Sequence, residues 1–183
     1  MSQTLTQPPL LISEEYRLLQ QKMHENPRYG EASVGYAPLV VQIIEQVGAT
    51  ELLDYGAGKG RLGIYLREHL RRPLTIHHYD PAIPEWSALP APSGFVACID
   101  VLEHIEPALI ENVLDDLKRV TAHVAVLTIE TVPARKTLPD GRNAHLIQRS
   151  PDGWLPKLIE RFDLVTFNRV PRGFWVGVER KAA

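Results

Sequence analysis

The feature that most constrains the fold is a tight glycine turn between a short apolar segment and an amphipathic stretch. Residues 51–55 have the composition of a buried strand, and Gly56, Gly58 and Gly60 follow at once. Glycine lacks a β-carbon, so the backbone can turn sharply there and a ligand can approach it closely. Apolar residues then recur with helical spacing over 62–70. This order predicts a strand–turn–helix unit of an α/β fold with a ligand at the turn.

The rest of the chain continues the alternation of strands and helices. The same periodicities predict strands at 74–79, 95–99, 123–129, 164–167 and 174–178, and helices at 13–24, 37–47, 107–120 and 151–161. Pro171-Arg172-Gly173 separates the last two strands and favours an antiparallel hairpin. We therefore predict a single domain of three layers with a mostly parallel sheet, preceded by residues 1–12, which we expect to fray.

Composition excludes several classes of protein. Hydrophobic residues make up 44% of the 183 positions and charged residues 23%, which excludes a disordered or fibrous chain. Cys98 is the single cysteine, so no internal disulfide can form. No apolar stretch approaches the roughly 20 residues of a membrane span. Residues 1–9 are too polar for a signal peptide, so we expect a cytoplasmic protein without a membrane partner.

The charge is unevenly distributed along the chain. Residues 1–130 carry ten Lys or Arg and seventeen Asp or Glu, whereas residues 131–183 carry ten and five. Two interpretations stay open: a chance asymmetry, or a basic rim around a site that receives an anionic substrate.

Four polar features fall at the carboxyl ends of predicted parallel strands, where such sheets bind ligands. They are the glycine turn, Asp80, Asp100 and Glu130. The N-terminus of the helix after the turn favours a carboxylate or phosphate. Asp80 can accept two hydrogen bonds from a ribose diol, and Asp54, two residues before Gly56, can hold an ammonium group.

The glycines by themselves leave a second interpretation open. Gly58, Gly60 and Gly63 satisfy the G-x-G-x-x-G fingerprint of dinucleotide-binding domains, and Asp80 fits the acidic position that follows it. Asp54 favours a ligand with a cationic amino group, because a carboxylate against the turn would repel a pyrophosphate. An NAD(P)-binding Rossmann domain therefore remains the alternative.

Three segments resemble the motifs of a known superfamily. Residues 52–60 (LLDYGAGKG) resemble the first motif of the class I S-adenosylmethionine-dependent methyltransferases, residues 79–81 (YDP) their ribose-binding motif, and residues 99–105 (IDVLEHI) their fourth motif. The resemblance runs from about Tyr36 to the end. It implies a methyltransferase domain over 36–183, with residues 1–35 forming a helix and a segment that covers the cofactor or substrate.

The resemblance implies how S-adenosylmethionine would be held. The residues implied to contact it are Asp54, Gly56, Ala57, Gly58, Asp80, Pro81, Ile83, Asp100 and Val101. Asp80 would bind the ribose hydroxyls, Ile83 would pack on the adenine, and Asp100 would lie near the sulfonium.

The implied sheet has seven strands, but the chain departs from the pattern before residue 95. The segment after the second strand has no room for a full helix and another strand, so we predict six or seven strands. Residues 87–95 contain no acid to bind the adenine amino group. Either the backbone of residues 87–89 takes that role, or adenine recognition is looser.

A cluster of potential metal ligands follows the third predicted strand. Asp100, Glu103, His104 and the distant His145 are similar in spacing to the Glu-x-x-Glu-His and His of small-RNA 3′-end and ubiquinone-pathway methyltransferases, which hold a divalent metal. Here Asp replaces the first Glu. We predict no metal, with this cluster as the alternative, and His104 or His145 as a general base.

Two segments are expected to cover the site. Residues 28–36 contain two tyrosines, and residues 133–149 form a long loop with several cations. That loop would receive an anionic or nucleic-acid acceptor, although a small-molecule acceptor is favoured. The sequence thus predicts a methyltransferase, with a dinucleotide-binding domain or a non-catalytic interaction subunit of the same fold as alternatives.

Overall fold

The computed structural model describes residues 9–30 and 32–181, which form a six-stranded sheet. The strands are β1 (Glu51–Tyr55), β2 (Thr75–Tyr79), β3 (Ser93–Ile99), β4 (Thr121–Glu130), β5 (Phe162–Val170) and β6 (Gly173–Arg180). Their order across the sheet is β2-β1-β3-β4-β6-β5. The first four strands are parallel, and β6 lies antiparallel between β4 and β5. The predicted α/β sandwich with a C-terminal antiparallel hairpin is confirmed.

Five α-helices accompany the sheet in the described ranges. They are α1 (Glu14–His24), α2 (Ala32–Val47), α3 (Arg61–His69), α4 (Ile110–Val120) and α5 (Pro151–Arg161). The prediction that α2 begins at residue 37 is wrong, because the buried face formed by Ala37, Val40 and Ile44 stabilises the helix across Gly35 and Pro38. None of the helices in residues 9–30 and 32–181 has the length and apolar character needed to cross a membrane.

The sheet is buried on both faces, as parallel sheets usually are. Leu52 of β1 packs with α2 and α3, whereas its neighbour Leu53 packs with α4 and α5. Phe95 and Val96 of β3 divide between the two layers in the same way. Successive strand residues point to opposite faces, and this alternation produces the three layers.

The connection between β2 and β3 decides the number of strands. It contains only a short 3₁₀ turn, Pro84–Trp86, whose Trp86 ring lies 4.5 Å from the ring of His78. Prolines at 81, 84, 90 and 92 keep this segment irregular. The described sheet therefore has six strands, and β2 is one of its edges.

The N-terminal segment is only partly described, since residues 1–8 lie outside the described ranges. The expected fraying is wrong for residues 10 and 11. Leu11 is 8% exposed and belongs to the core against α4, and the carbonyl of Leu10 accepts a hydrogen bond from Asn112 at 2.9 Å.

Gly173 at the start of β6 provides a test of the packing between β4 and β6. A β-carbon there would lie 2.0 Å from the carbonyl oxygen of Ile129, whereas a β-carbon on Gly35 in α2 would meet no atom within 4 Å. We expect Gly173→Ala to lower the free energy of unfolding by about 1–3 kcal/mol or more. Gly35→Ala should raise it by about 0.5–1 kcal/mol. Urea denaturation measures both, and an unchanged stability for Gly173→Ala would contradict this packing.

Candidate functional site

A cavity of about 510 Å³ lies at the carboxyl ends of the parallel strands. Gly56 follows β1, Asp80 follows β2, Asp100 follows β3, and Glu130 ends β4, and all four line this cavity. The structure therefore brings the four polar features of the sequence to one place. The volume lies within the range of small-molecule sites, about 300–1,000 Å³.

Most of the predicted site residues are on the cavity wall, and a few are not. Those that line it are Gly56, Ala57, Gly58, Asp80, Pro81, Asp100, Val101, His104 and His145. Asp54, Ile83 and Glu103 do not line it.

The glycine turn adopts a backbone that only glycine accepts easily. Gly56, Gly58 and Gly60 have φ angles of 80°, 53° and 63°. A β-carbon on Gly56 would lie 2.4 Å from Cγ2 of Val101, so the ends of β1 and β3 approach each other only because residue 56 is glycine. The backbone N–H of Gly56 donates to the carbonyl of Tyr79 at 2.7 Å, which joins the turn to β2.

Asp80 is the acceptor that holds the turn in place. Its Oδ2 accepts from the N–H of Gly58 and its Oδ1 from the N–H of Ala82, both at 2.9 Å. The residue is buried but lines the cavity. A carboxylate has about four acceptor sites, so two remain for the hydroxyls of a ligand.

Asp54 lies in β1, just before the turn, and does not line the cavity. It is buried, and its Oδ2 is 3.4 Å from Nδ1 of His78, its register partner on β2. Burial raises the pKa of Asp54, while the neighbouring imidazole of His78 opposes the rise. Asp54 is therefore not part of the cavity wall, and its contact with a ligand ammonium group stays a prediction.

Ile83, for which we predict a contact with adenine, also does not line the cavity. Its backbone N–H donates to the carbonyl of Asp80 at 3.1 Å, which places it in the turn after β2 and off the wall. The missing helix and strand leave this side of the site with a short irregular connection.

Asp100, His104 and His145 form the polar end of the cavity. One potential ligand atom from each lies within 4.8 Å of the others. Asp100 Oδ2 is 3.9 Å from His104 Nε2, and the two imidazole centroids are 4.8 Å apart at 88°. Burial raises the pKa of Asp100, but the nearby imidazole of His104, together with its other neighbours, lowers it overall.

Asp100 has a φ of 59°, which is uncommon for a residue with a side chain. Its backbone N–H donates to Oγ1 of Thr128 at 2.9 Å, and this bond to β4 holds the conformation. Strained backbone held in this way is frequent at functional sites.

His145 is fixed in one tautomer. Its Nδ1 lies 2.7 Å from the carbonyl of Val132, so Nδ1 must carry the proton and donate. Nε2 is then unprotonated and available to accept a proton or to bind a metal. Burial lowers the pKa of His145, which keeps the imidazole neutral near pH 7.

Glu103 has a structural role in this site. It is fully buried, and its Oε1 accepts from the backbone N–H of Glu130. Burial, followed by the charge of Asp100, raises the pKa of Glu103 well above its ordinary range. Of the four residues in the alternative metal cluster, three converge and Glu103 does not.

The three converging residues fit a metal only in part. His145 has the carbonyl partner that orients a metal-binding imidazole, but Nδ1 of His104 is buried with no hydrogen-bond partner among the described residues. A dedicated metal site usually has such a partner for each imidazole.

Helix α1 contributes residues that the sequence analysis missed. Tyr16, Gln20 and His24 line the cavity from one face of this helix. Tyr29 donates to Gln20 at 2.9 Å, Gln20 to Tyr16 at 2.6 Å, and Tyr16 to the carbonyl of His104 at 2.6 Å. Tyr16, Gln20 and His24 are spaced at i, i+4 and i+8, and this helical spacing is the signal that could have identified the face.

Residues 24–30, which we call the cap segment, lie over the glycine turn. A β-carbon on Gly58 would be 3.3 Å from Cε1 of His24, so the imidazole packs directly on the turn. Lys59 donates to the carbonyls of Asn26 at 2.7 Å and Tyr29 at 2.8 Å. The cap segment is thus hydrogen-bonded to the turn that it covers.

The loop over 133–149 closes the cavity from the other side. The side-chain amide of Asn143 makes two hydrogen bonds of 2.9 Å with the backbone of Ala134. These bonds hold the two ends of a compact hairpin together. Lys136 donates to the carbonyl of Arg28, and its Nζ lies 5.2 Å from the ring centroid of Tyr29. The loop and the cap segment therefore meet above the site.

Comparison with known proteins identifies the fold. No protein-family profile and no curated protein sequence matches the chain. Among solved structures, a 1,6-didemethyltoxoflavin-N1-methyltransferase from Burkholderia thailandensis, with its substrate and S-adenosylhomocysteine bound, superposes with a TM-score of 0.65. It is 17% identical, and the match covers 97% of this chain and 94% of that one.

Two further methyltransferases show the range of acceptors on this fold. Magnesium protoporphyrin IX methyltransferase from Synechocystis PCC 6803, with S-adenosylmethionine bound, has a TM-score of 0.58 at 15% identity, covering 80% and 79% of the chains. The small-RNA methyltransferase HEN1 has a TM-score of 0.61 at 12% identity, covering 85% of this chain and 26% of that one. The chain has the Rossmann-like methyltransferase fold.

Two histidines of the cavity wall predict a pH dependence of stability. Burial lowers the pKa of His24 and His145 below the ordinary value of about 6.5. Between the folded pKa values and about 6.5 the unfolded chain binds more protons, so these groups lower stability as the pH falls through that window. We expect His24→Gln/His145→Gln to reduce the loss of stability between about pH 7.5 and 5.5, as measured by urea denaturation. His77→Gln, at an exposed position on β2, is the control, and a double variant with the wild-type pH dependence would contradict the assignment.

The partial fit to a metal predicts that chelators have little effect. We expect EDTA to leave the melting temperature and any methyl-transfer activity essentially unchanged, and Mg²⁺ or Mn²⁺ to raise the melting temperature by less than about 1 °C. A metal-dependent stabilisation or activity that disappears in Asp100→Asn and His145→Gln would instead establish the alternative metal centre.

Proposed function

We propose that the protein is an S-adenosylmethionine-dependent methyltransferase that acts on a small acceptor. The observation that carries the proposal is the convergence of the Gly56–Gly58 turn, Asp80 and Asp100 on one cavity at the carboxyl ends of three parallel strands. These are the three motifs by which the sequence resembles class I methyltransferases.

Several solved structures support the choice of cofactor. The 1,6-didemethyltoxoflavin-N1-methyltransferase holds S-adenosylhomocysteine, and magnesium protoporphyrin IX methyltransferase holds S-adenosylmethionine or S-adenosylhomocysteine. We assign the amino-acid part of the cofactor to Gly56, Ala57 and Gly58, because this turn lines the cavity and leads into the N-terminus of α3, which favours a carboxylate. The ribose is assigned to Asp80, beside Pro81, because two of its acceptor sites face no protein donor.

The reacting methyl group would then lie toward Asp100 and Val101. Transfer from a sulfonium needs the acceptor atom, methyl carbon and sulfur in line and water kept away. The cap segment and the loop over 133–149 supply that enclosure, since both line the cavity and contact each other.

His145 is the better candidate for a general base when the acceptor must lose a proton. Its Nε2 is unprotonated because Nδ1 donates to Val132, and its lowered pKa keeps it neutral. His104, 4.8 Å away, is held by the carboxylate of Asp100 and is the second candidate.

Two alternatives predict different ligands. A dinucleotide-binding domain would bind NAD(P), but β6 runs antiparallel between β4 and β5, unlike the parallel order of the classic dinucleotide fold. A non-catalytic interaction subunit would bind no cofactor, and the cavity formed by the motif residues argues against it.

Calorimetric titration tests the proposal directly. We expect S-adenosylhomocysteine to bind and NAD not to bind. Asp80→Ala should weaken S-adenosylhomocysteine by about 1.5–3 kcal/mol, because two charge-assisted hydrogen bonds to the ribose disappear. Asp152→Ala, at an exposed position on α5, is the matched control and should bind as the wild type does. Equal affinities for Asp80→Ala and wild type would refute the placement of the ribose.

A further inference from the structure

The cavity wall carries four cationic side chains, and two of them already have partners. Arg172 pairs with Glu130 at 2.8 Å and donates to the carbonyl of Pro133 at 2.9 Å. Lys136 donates to the carbonyl of Arg28 and lies against the ring of Tyr29. Both cations therefore already have partners within the protein.

Arg28 and Arg135 are the other two cations on the wall. Both side chains are exposed, and neither forms an ion pair with an acidic residue within 9–30 and 32–181. The acids that line the cavity in those ranges do not neutralise them. Asp80 binds two backbone N–H groups, Asp100 lies against His104, and Glu130 pairs with Arg172. Among the described residues, the charges of Arg28 and Arg135 therefore have no acidic partner at the site.

The fold brings these two arginines to the wall of one cavity from distant parts of the sequence. Arg28 belongs to the cap segment, and Arg135 precedes Lys136, whose Nζ bonds to the carbonyl of Arg28. Two hydrogen bonds between the side chain of Asn143 and the backbone of Ala134 fix the residue before Arg135. Both arginines therefore line the cavity on the two segments that the Lys136–Arg28 hydrogen bond connects, and this bond marks the junction between the cap segment and the loop.

We propose that the acceptor is a small anion, carrying a carboxylate or phosphate group that Arg28 and Arg135 bind; this rests on the methyltransferase function proposed above. A guanidinium presents a planar fork of donors that matches either group, and two forks on adjoining segments suit one anionic centre. Binding the anion at this junction also ties the cap segment to the loop, which closes the site over the reactants.

A small acceptor fits better than a nucleic acid. The cavity is of small-molecule size, and the whole chain has a net charge of −2. Proteins that bind nucleic acids by their phosphates usually present a basic stripe or patch in a basic domain.

The experiment is calorimetry on the full chain, first saturated with S-adenosylhomocysteine. The probes are 4-nitrophenyl phosphate, 4-nitrobenzoate and the neutral 4-nitrobenzyl alcohol. We expect at least one of the two anions to bind about tenfold or more tightly than the alcohol, and the tighter of the two identifies the group. Arg28→Ala/Arg135→Ala should abolish this preference, and Arg135→Lys should keep part of it. Arg71→Ala removes an exposed arginine outside the cavity and should change nothing.

The outcomes separate this inference from the proposed function. If S-adenosylhomocysteine does not bind, the methyltransferase proposal fails first. If it binds but the three probes bind alike, or the double variant keeps the preference for anions, the inference about the acceptor is wrong and the proposed function survives. A short single-stranded RNA that binds more tightly than either anion, through the same arginines, would replace the small acceptor by a nucleic acid.

Discussion

The hydrogen bond from the backbone of Gly58 to the carboxylate of Asp80 joins the two strand ends on which the site depends. Bonds to a buried carboxylate are among the stronger ones in proteins, so this contact fixes the turn after β1 against the end of β2. The third strand end joins them because Gly56 leaves room for Val101. A substitution at any of these positions therefore affects the cavity and the sheet edge together.

Hydrogen bonds connect the segments that cover the cavity to the two histidines that are the candidate bases. Hydrogen bonds run from Tyr29 through Gln20 and Tyr16 to the carbonyl of His104, so the cap segment and α1 help to position one of the candidate bases. Lys136 connects the opposite loop, which carries His145, to the same segment. Any ligand that moves the cover would thus also move the imidazoles that face it.

The parts of the site that could be predicted from sequence are those set by local chemistry. The spacing of Gly56 and Gly58 indicates a turn because their positive φ angles require glycine, and Asp80 follows a strand that is readable from its own residues. The orientation of Asp54 depends on its register with His78 across the sheet, which no local pattern shows. The role of α1 was missed for a similar reason, since a helix face is visible in the sequence but the surface it meets is not.

A crystal structure of the protein with S-adenosylhomocysteine tests the central claim most directly. We expect the homocysteine part on the Gly56–Gly58 turn, the ribose hydroxyls within hydrogen-bond distance of Asp80, and the sulfur directed toward Asp100. A ligand bound elsewhere, or a ribose turned away from Asp80, would contradict the assignment and leave only the fold.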